Sequence, residues 1–123
     1  MNTFSKAERV TGKKKIEQLF ASQNILHSKP LSLRWMKVEV EVVSVQILVS
    51  VPKRNLKKAI DRNLLKRRIR EAYRLNKQQL LQSIGEEKLA IAIMFSAKEI
   101  VEYKEIEIAL LGLFEQLIKQ LNP

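Results

Sequence analysis

The stretch Lys53–Lys77, KRNLKKAIDRNLLKRRIREAYRLNK, decides how this chain is read. It carries Lys or Arg at positions 53, 54, 57, 58, 62, 66, 67, 68, 70, 74 and 77, against two acids, Asp61 and Glu71. Eleven cations less two acids leave +9, and the whole chain of 123 residues is +10. The rest is therefore close to neutral. The apolar residues inside the stretch have helical spacing. Projected at about 100° per residue from Ile60 to Ser83, Leu65, Ile69, Ala72 and Leu80 fall on one side. Asn63, Lys66, Arg67, Arg70, Arg74 and Lys77 fall together on another side, and Arg68 flanks the core side. The projection predicts a stripe of cations roughly 25–30 Å long. Like charges one turn apart, as in Lys66–Arg70 and Arg70–Arg74, repel each other. A helix under that repulsion suits a polyanionic partner. Arg takes phosphate bidentately and stacks on bases, which points to RNA. A membrane surface fits less well, because the apolar face is narrow and the core needs it.

Working outward, Lys53–Ala59 is a basic connector and Pro52 ends the strand before it, having no N–H for a ladder. Asp61 in the first turn and Gly85 just past the end delimit the helix. Upstream, Leu31–Val51 is strand territory. Leu31, Leu33 and Trp35 alternate with Ser32, Arg34 and Met36, and Val38, Val40 and Val42 alternate with Glu39 and Glu41. Two or three antiparallel strands are expected there. Downstream, Lys88–Phe95 is a short buried strand, and Glu99–Gln120 is a helix with Ile106, Leu110, Leu113, Phe114, Leu117 and Leu121 on one stripe. The strand–helix–strand unit around the basic helix implies a parallel neighbour pair. Nearer the start, Lys13–Ser22 is a short helix with Ile16, Leu19 and Phe20 on one face. Lys13, Lys14 and Lys15 stand at its positive end, where an anion would help to neutralise them. Met1–Gly12, with Phe4, Lys6 and Arg9, is expected to be a flexible basic arm, and Asn24–Pro30 a loop.

These elements fit one domain over residues 1–123, with 46% apolar residues to fill one core. The chain lacks Cys, which excludes disulfides, thiolate metal sites and a Cys nucleophile. No signal peptide or membrane span is expected, since no apolar run approaches the length of either. His27 is the only His and by itself makes neither a metal site nor a catalytic relay. Three Gly leave no Gly-rich phosphate loop. Glu99, Glu102, Glu105 and Glu107 have the spacing of a solvated helix face. The residues alone define a small α/β RNA-binding protein with no active site of its own.

The segment Arg62–Glu71, RNLLKRRIRE, resembles the signature R-N-R-x-K-R-x-x-R-E of the bacterial ribonuclease P protein component. Arg62, Asn63, Lys66, Arg67, Arg70 and Glu71 match in register, and Leu64 replaces the third basic residue. The resemblance extends over most of the chain. It includes a helix ending in Phe20, strands bearing an aromatic (Trp35), the Val51-Pro52-Lys53-Arg54 connector, the Ala72–Leu75 continuation, and a final strand and helix.

The resemblance implies a two-layer α+β sandwich of the order α-β-β-β-α-β-α. This is the ribosomal protein S5 domain 2-like fold with a left-handed βαβ crossover. It implies the small, cytoplasmic subunit of a ribonucleoprotein endonuclease that removes the 5′ leader of precursor tRNA. Catalysis would belong to the RNA subunit with Mg²⁺, and no protein residue would be catalytic. The protein would be a monomer within a 1:1 ribonucleoprotein. Carried onto this chain, the RNA-binding residues are Lys53, Arg54, Lys57, Lys58, Arg62, Asn63, Lys66, Arg67, Arg70 and Arg74, with Arg68 counted among them. The cleft for the leader would be formed by Ile16, Phe20 and Trp35. A general structural RNA-binding protein of ribosomal type is the alternative.

Overall fold

The computed structural model describes residues 8–39 and 43–122. Phe4 and Lys6 of the expected arm, and Val40 and Val42 of the strand region, lie outside them.

The element order is α1 (Lys13–Phe20), β1 (Ile25–Ser28), β2 (Leu31–Lys37), β3 (Val45–Ser50), α2 (Ala59–Ile84), β4 (Leu89–Phe95) and α3 (Tyr103–Leu121). The four strands form one sheet in the order β1-β2-β4-β3. β1 and β2 pair antiparallel about the Lys29–Pro30 turn, and β2 pairs antiparallel with β4. β3 pairs with β4 in parallel, with Ile47 opposite Ile91. The parallel neighbours around α2 are those the strand–helix–strand pattern implies.

Two expectations about the sheet are corrected. β2 and β3 are not antiparallel partners, since β4 lies between them. The third strand of the first half comes from the expected Asn24–Pro30 loop, where ILHS forms β1 with only Leu26 fully buried. Four residues with one inward apolar side chain carry no readable alternation. His27 is thus an exposed strand residue.

The central strand separates two unequal layers. On one face Leu31, Leu33, Ile47, Ile91, Ile93 and Phe95 pack against α2 and α3. α2 contributes Leu65, Ile69, Ala72 and Leu80, all fully buried as the projection predicts, and Tyr73, which the projection does not include. Each buried Leu or Ile among them stabilises the fold by about 1.5–3 kcal/mol relative to exposure. Tyr73 meets Phe114 of α3 edge to face, with ring centroids 6.2 Å apart and planes at 82°. α2 ends at Gly85, whose φ of 64° lies in the region that favours glycine. α3 begins at Tyr103, four residues later than expected. The Arg68 guanidinium donates to the Val101 carbonyl, and the Glu102 carbonyl accepts from Glu105 and Ile106 N–H groups to open the helix.

Among the described residues, the other face is covered by α1 and by Val10 of the segment before it. Leu19 is fully buried over Ala90 and Ala92 of β4, and Ile16, Phe20, Met36, Val38 and Leu48 surround it, each half-buried. The expected flexible arm is anchored at its inner end. Val10 donates to the Ile47 carbonyl at 3.0 Å and is buried, and Arg9 bridges Ile47 in parallel along the outer edge of β3.

Candidate nucleic-acid interface

The basic residues of Lys53–Lys77 fall into two groups. Lys53, Arg54, Lys57, Lys58, Lys66, Arg67 and Arg70 reach solvent, and among the described residues their side chains make no hydrogen bond or ion pair. Asn63 is exposed beside them. They run from the connector along one face of α2. From Lys58 to Arg70 the helix rises about 18 Å. Burial, and secondarily the neighbouring Arg9, lower the pKa of Arg70 from its ordinary value. Arg9 and Arg70, with Thr11 and Leu48, line a small cavity of about 130 Å³ at the edge of β3.

The remaining cations are engaged inside the protein. One Nη of Arg62 donates to the carbonyls of Leu56 and Lys57 at 2.9 and 2.8 Å, pinning the connector to the first turns of α2. Arg68 holds the segment before α3, as described above. Arg74 is half-buried and forks onto Glu71, with Nε 3.0 Å from Oε2. That hydrogen bond raises the pKa of Arg74 and lowers that of Glu71.

Lys77 departs furthest from expectation. It is only 5% exposed, and its Nζ donates to both carboxylate oxygens of Glu8 at 3.0 and 2.9 Å. The stripe therefore stops short, because the segment before α1 roofs its last turn. Helical projection places Lys77 correctly in angle but does not reveal a partner 69 residues away in sequence.

The cleft residues also divide. Ile16 and Phe20 lie on the α1 face, half-buried beside Met36, Val38 and Leu48. Trp35 lies on the opposite face. It is 8% exposed within the core that packs on α2 and α3, so its assignment to the cleft is corrected. It shares the phase of Leu31 and Leu33, whereas Met36 shares that of Ser32 and Arg34. Strict alternation was the signal that selects Met36 as the cleft residue. Arg34 also lies on the cleft face, and its Nη1 donates to the Ser22 carbonyl at 2.8 Å. On β3, Gln46 accepts a hydrogen bond from Lys15 of α1. Met36 and Leu48 on this face, and Glu8 as the buried partner of Lys77, are the residues that sequence reasoning missed.

Among the described residues, no three of His, Cys, Asp and Glu gather where they could hold a metal ion, and no helix is long and apolar enough to cross a membrane. The surface defines a class: a basic α+β domain with a row of unpaired cations on one connector and helix, and half-buried apolar side chains between α1 and the far face of its sheet. Comparison with known proteins makes this specific. The family model for ribonuclease P matches residues 4–118, and the chain belongs to that family of tRNA-processing proteins. A ribonuclease P protein component from Porphyromonas gingivalis is 33% identical over 109 residues, covering 86% of this chain and 80% of its own. One from Chlorobium phaeobacteroides is 39% identical over 84 residues, covering 65% of this chain and 58% of its own. The fold matches the ribonuclease P protein of Staphylococcus aureus with a TM-score of 0.74 at 17% identity, over 91% of this chain and 96% of that one. It matches that of Thermotoga maritima with a TM-score of 0.70 at 22% identity, over 89% and 96%. At these identities the structural likeness is one of fold.

Proposed function

We propose that this chain is the protein subunit of a bacterial ribonuclease P holoenzyme, acting in the cytoplasm as a monomer in a 1:1 ribonucleoprotein. It binds the catalytic RNA subunit through Lys53, Arg54, Lys57, Lys58, Asn63, Lys66, Arg67 and Arg70. It holds the single-stranded 5′ leader of precursor tRNA in the cleft beside Ile16 and Phe20. Endonucleolytic removal of the leader is the reaction, and the protein assists it without a catalytic residue.

One observation carries this reading: seven cations on one connector and helix face have no anionic partner among the described residues, on a chain that is otherwise near neutral. Unpaired cations at that density lower the repulsion between two RNAs brought together, and they gain entropy by releasing condensed counterions. The cleft supplies a different interaction. Half-buried apolar side chains beside Lys15 and Arg34 hold a single strand with little sequence preference. Mg²⁺ is proposed to be held mainly by the RNA subunit.

Reconstitution tests the proposal. Mixed with a bacterial ribonuclease P RNA at low Mg²⁺, the chain should restore 5′-leader cleavage of a precursor tRNA. Absence of rescue, with tight binding to ribosomal RNA, would establish the structural RNA-binding alternative instead.

A further inference from the structure

The first turns of α2 carry a surface that the cationic face does not account for. Ile60, Asp61, Asn63, Leu64 and Arg67 line an open groove of about 440 Å³. Ile60 is 76% exposed. Leu64 is half-buried, its inner side packed on the main core, and it forms the groove floor with Ile60. Ile100 is 47% exposed and adjoins Val101, which Arg68 ties to the same part of the helix. The groove is thus apolar at its floor, although it lies among the unpaired cations Lys57, Lys58 and Arg67.

A phosphate does not fit this floor. It would lose water against aliphatic carbon and would face the Asp61 carboxylate. A flat nucleobase fits it well. Its face covers Ile60 and Leu64, its ring or amino N–H donates to Asp61, and the Asn63 amide can donate or accept at another edge. The cations on the rim then take the phosphates on either side. We propose that this groove seats one unstacked nucleotide of the ribonuclease P RNA subunit, with its base against Ile60 and Leu64. The proposal rests on the function given above and adds a contact made by shape and apolar area to those made by charge. It also gives Leu64 a role. Where the family signature has a cation, this chain exchanges a phosphate contact for a base contact.

Ile60→Gln tests the groove without touching the core, because Ile60 is exposed and Gln is a good helix former. Binding of the full chain to a ribonuclease P RNA transcript is measured over a series of salt concentrations. The expected result is an affinity loss of about five- to tenfold, from the apolar area withdrawn from the base, with the salt slope unchanged. Acylation of ribose 2′-hydroxyls should find one nucleotide whose reactivity changes on binding the wild-type chain and not on binding the variant. Unchanged affinity for Ile60→Gln, while Arg67→Ala still weakens binding and flattens the salt slope, overturns the groove and leaves the function standing. Failure of the wild-type chain to bind the transcript overturns both. A loss confined to the holoenzyme's affinity for precursor tRNA also overturns the proposal, by giving the groove to the substrate.

Discussion

Replacing Arg67 and Arg70 together by Ala separates the cations that face outward from those used inside. Both side chains reach solvent and have no hydrogen-bonded partner among the described residues. If all seven unpaired cations meet phosphates, log K against log salt has a slope of about −6, at roughly 0.9 per contact. Affinity then falls about 10³- to 10⁴-fold between about 50 and 200 mM salt. Without two contacts the slope is about −4.5, and the loss over the same interval is roughly tenfold smaller. The control is Lys77→Met, which removes a cation already neutralised by Glu8. It should leave the slope unchanged while destabilising the fold by about 3 kcal/mol, through loss of the buried Lys77–Glu8 ion pair. The assay is equilibrium binding of the RNA subunit over a salt series, with thermal melts of each protein alone. An unchanged slope for the Arg67 and Arg70 variant would refute the reasoning. So would a slope change for Lys77→Met as large as one contact, since the sorting of cations would then be wrong.

Other outcomes follow from individual sites. Burial raises the Tyr103 phenol to about 12, and the Glu107 carboxylate adds to the shift by hydrogen bonding. The folded state therefore binds its proton more tightly than the unfolded chain, whose tyrosines titrate near about 10. That contribution is complete below pH 10, is lost as pH rises through 12, and predicts little phenolate absorbance from the native chain at pH 11. Gly112 of α3 lies against β1, and a Cβ there would meet Ser28 Oγ at 2.9 Å. Gly112→Ala should accordingly be more favourable in a Ser28→Ala background than alone, and in that background it should stabilise by about 1 kcal/mol in a denaturant melt. Gly85→Ala should cost about 1 kcal/mol at the end of α2, where φ is positive, with RNA affinity unchanged.

What could be read from the sequence depended on the range of the interaction. α2 was legible because its signals are local: the 3.6-residue period, an acid in the first turn and a glycine at the stop. β4 was legible because LAIAIMF is apolar on both faces, as suits a central strand. Strand order was not legible, since β4 enters between β2 and β3 through pairings made far along the chain. β1 was too short to show its period. At the interface, composition located the cations but did not separate unpaired ones from those used internally. Arg62 and Arg68 bond to carbonyls that no side-chain pattern encodes, and the Glu8 partner of Lys77 lies in another segment. Trp35 was misassigned although its phase was readable, because an aromatic suggested stacking more strongly than alternation suggested burial.

The unequal faces of β4 bear on how such a cleft can vary. Ile91, Ile93 and Phe95 are committed to the helical layer, where volume is tightly constrained. Ala90 and Ala92 form the floor beneath α1, under Leu19 and level with Met36 and Leu48 of the neighbouring strands. Their small size lets α1 settle close to the sheet. A larger residue at either position would lift that helix and carry Ile16 and Phe20 with it. The separation of α1 from the sheet is thus adjustable from underneath, by two buried side chains that lie outside the cationic face. On the proposed function, leader accommodation and attachment to the RNA subunit can therefore drift independently within one small domain.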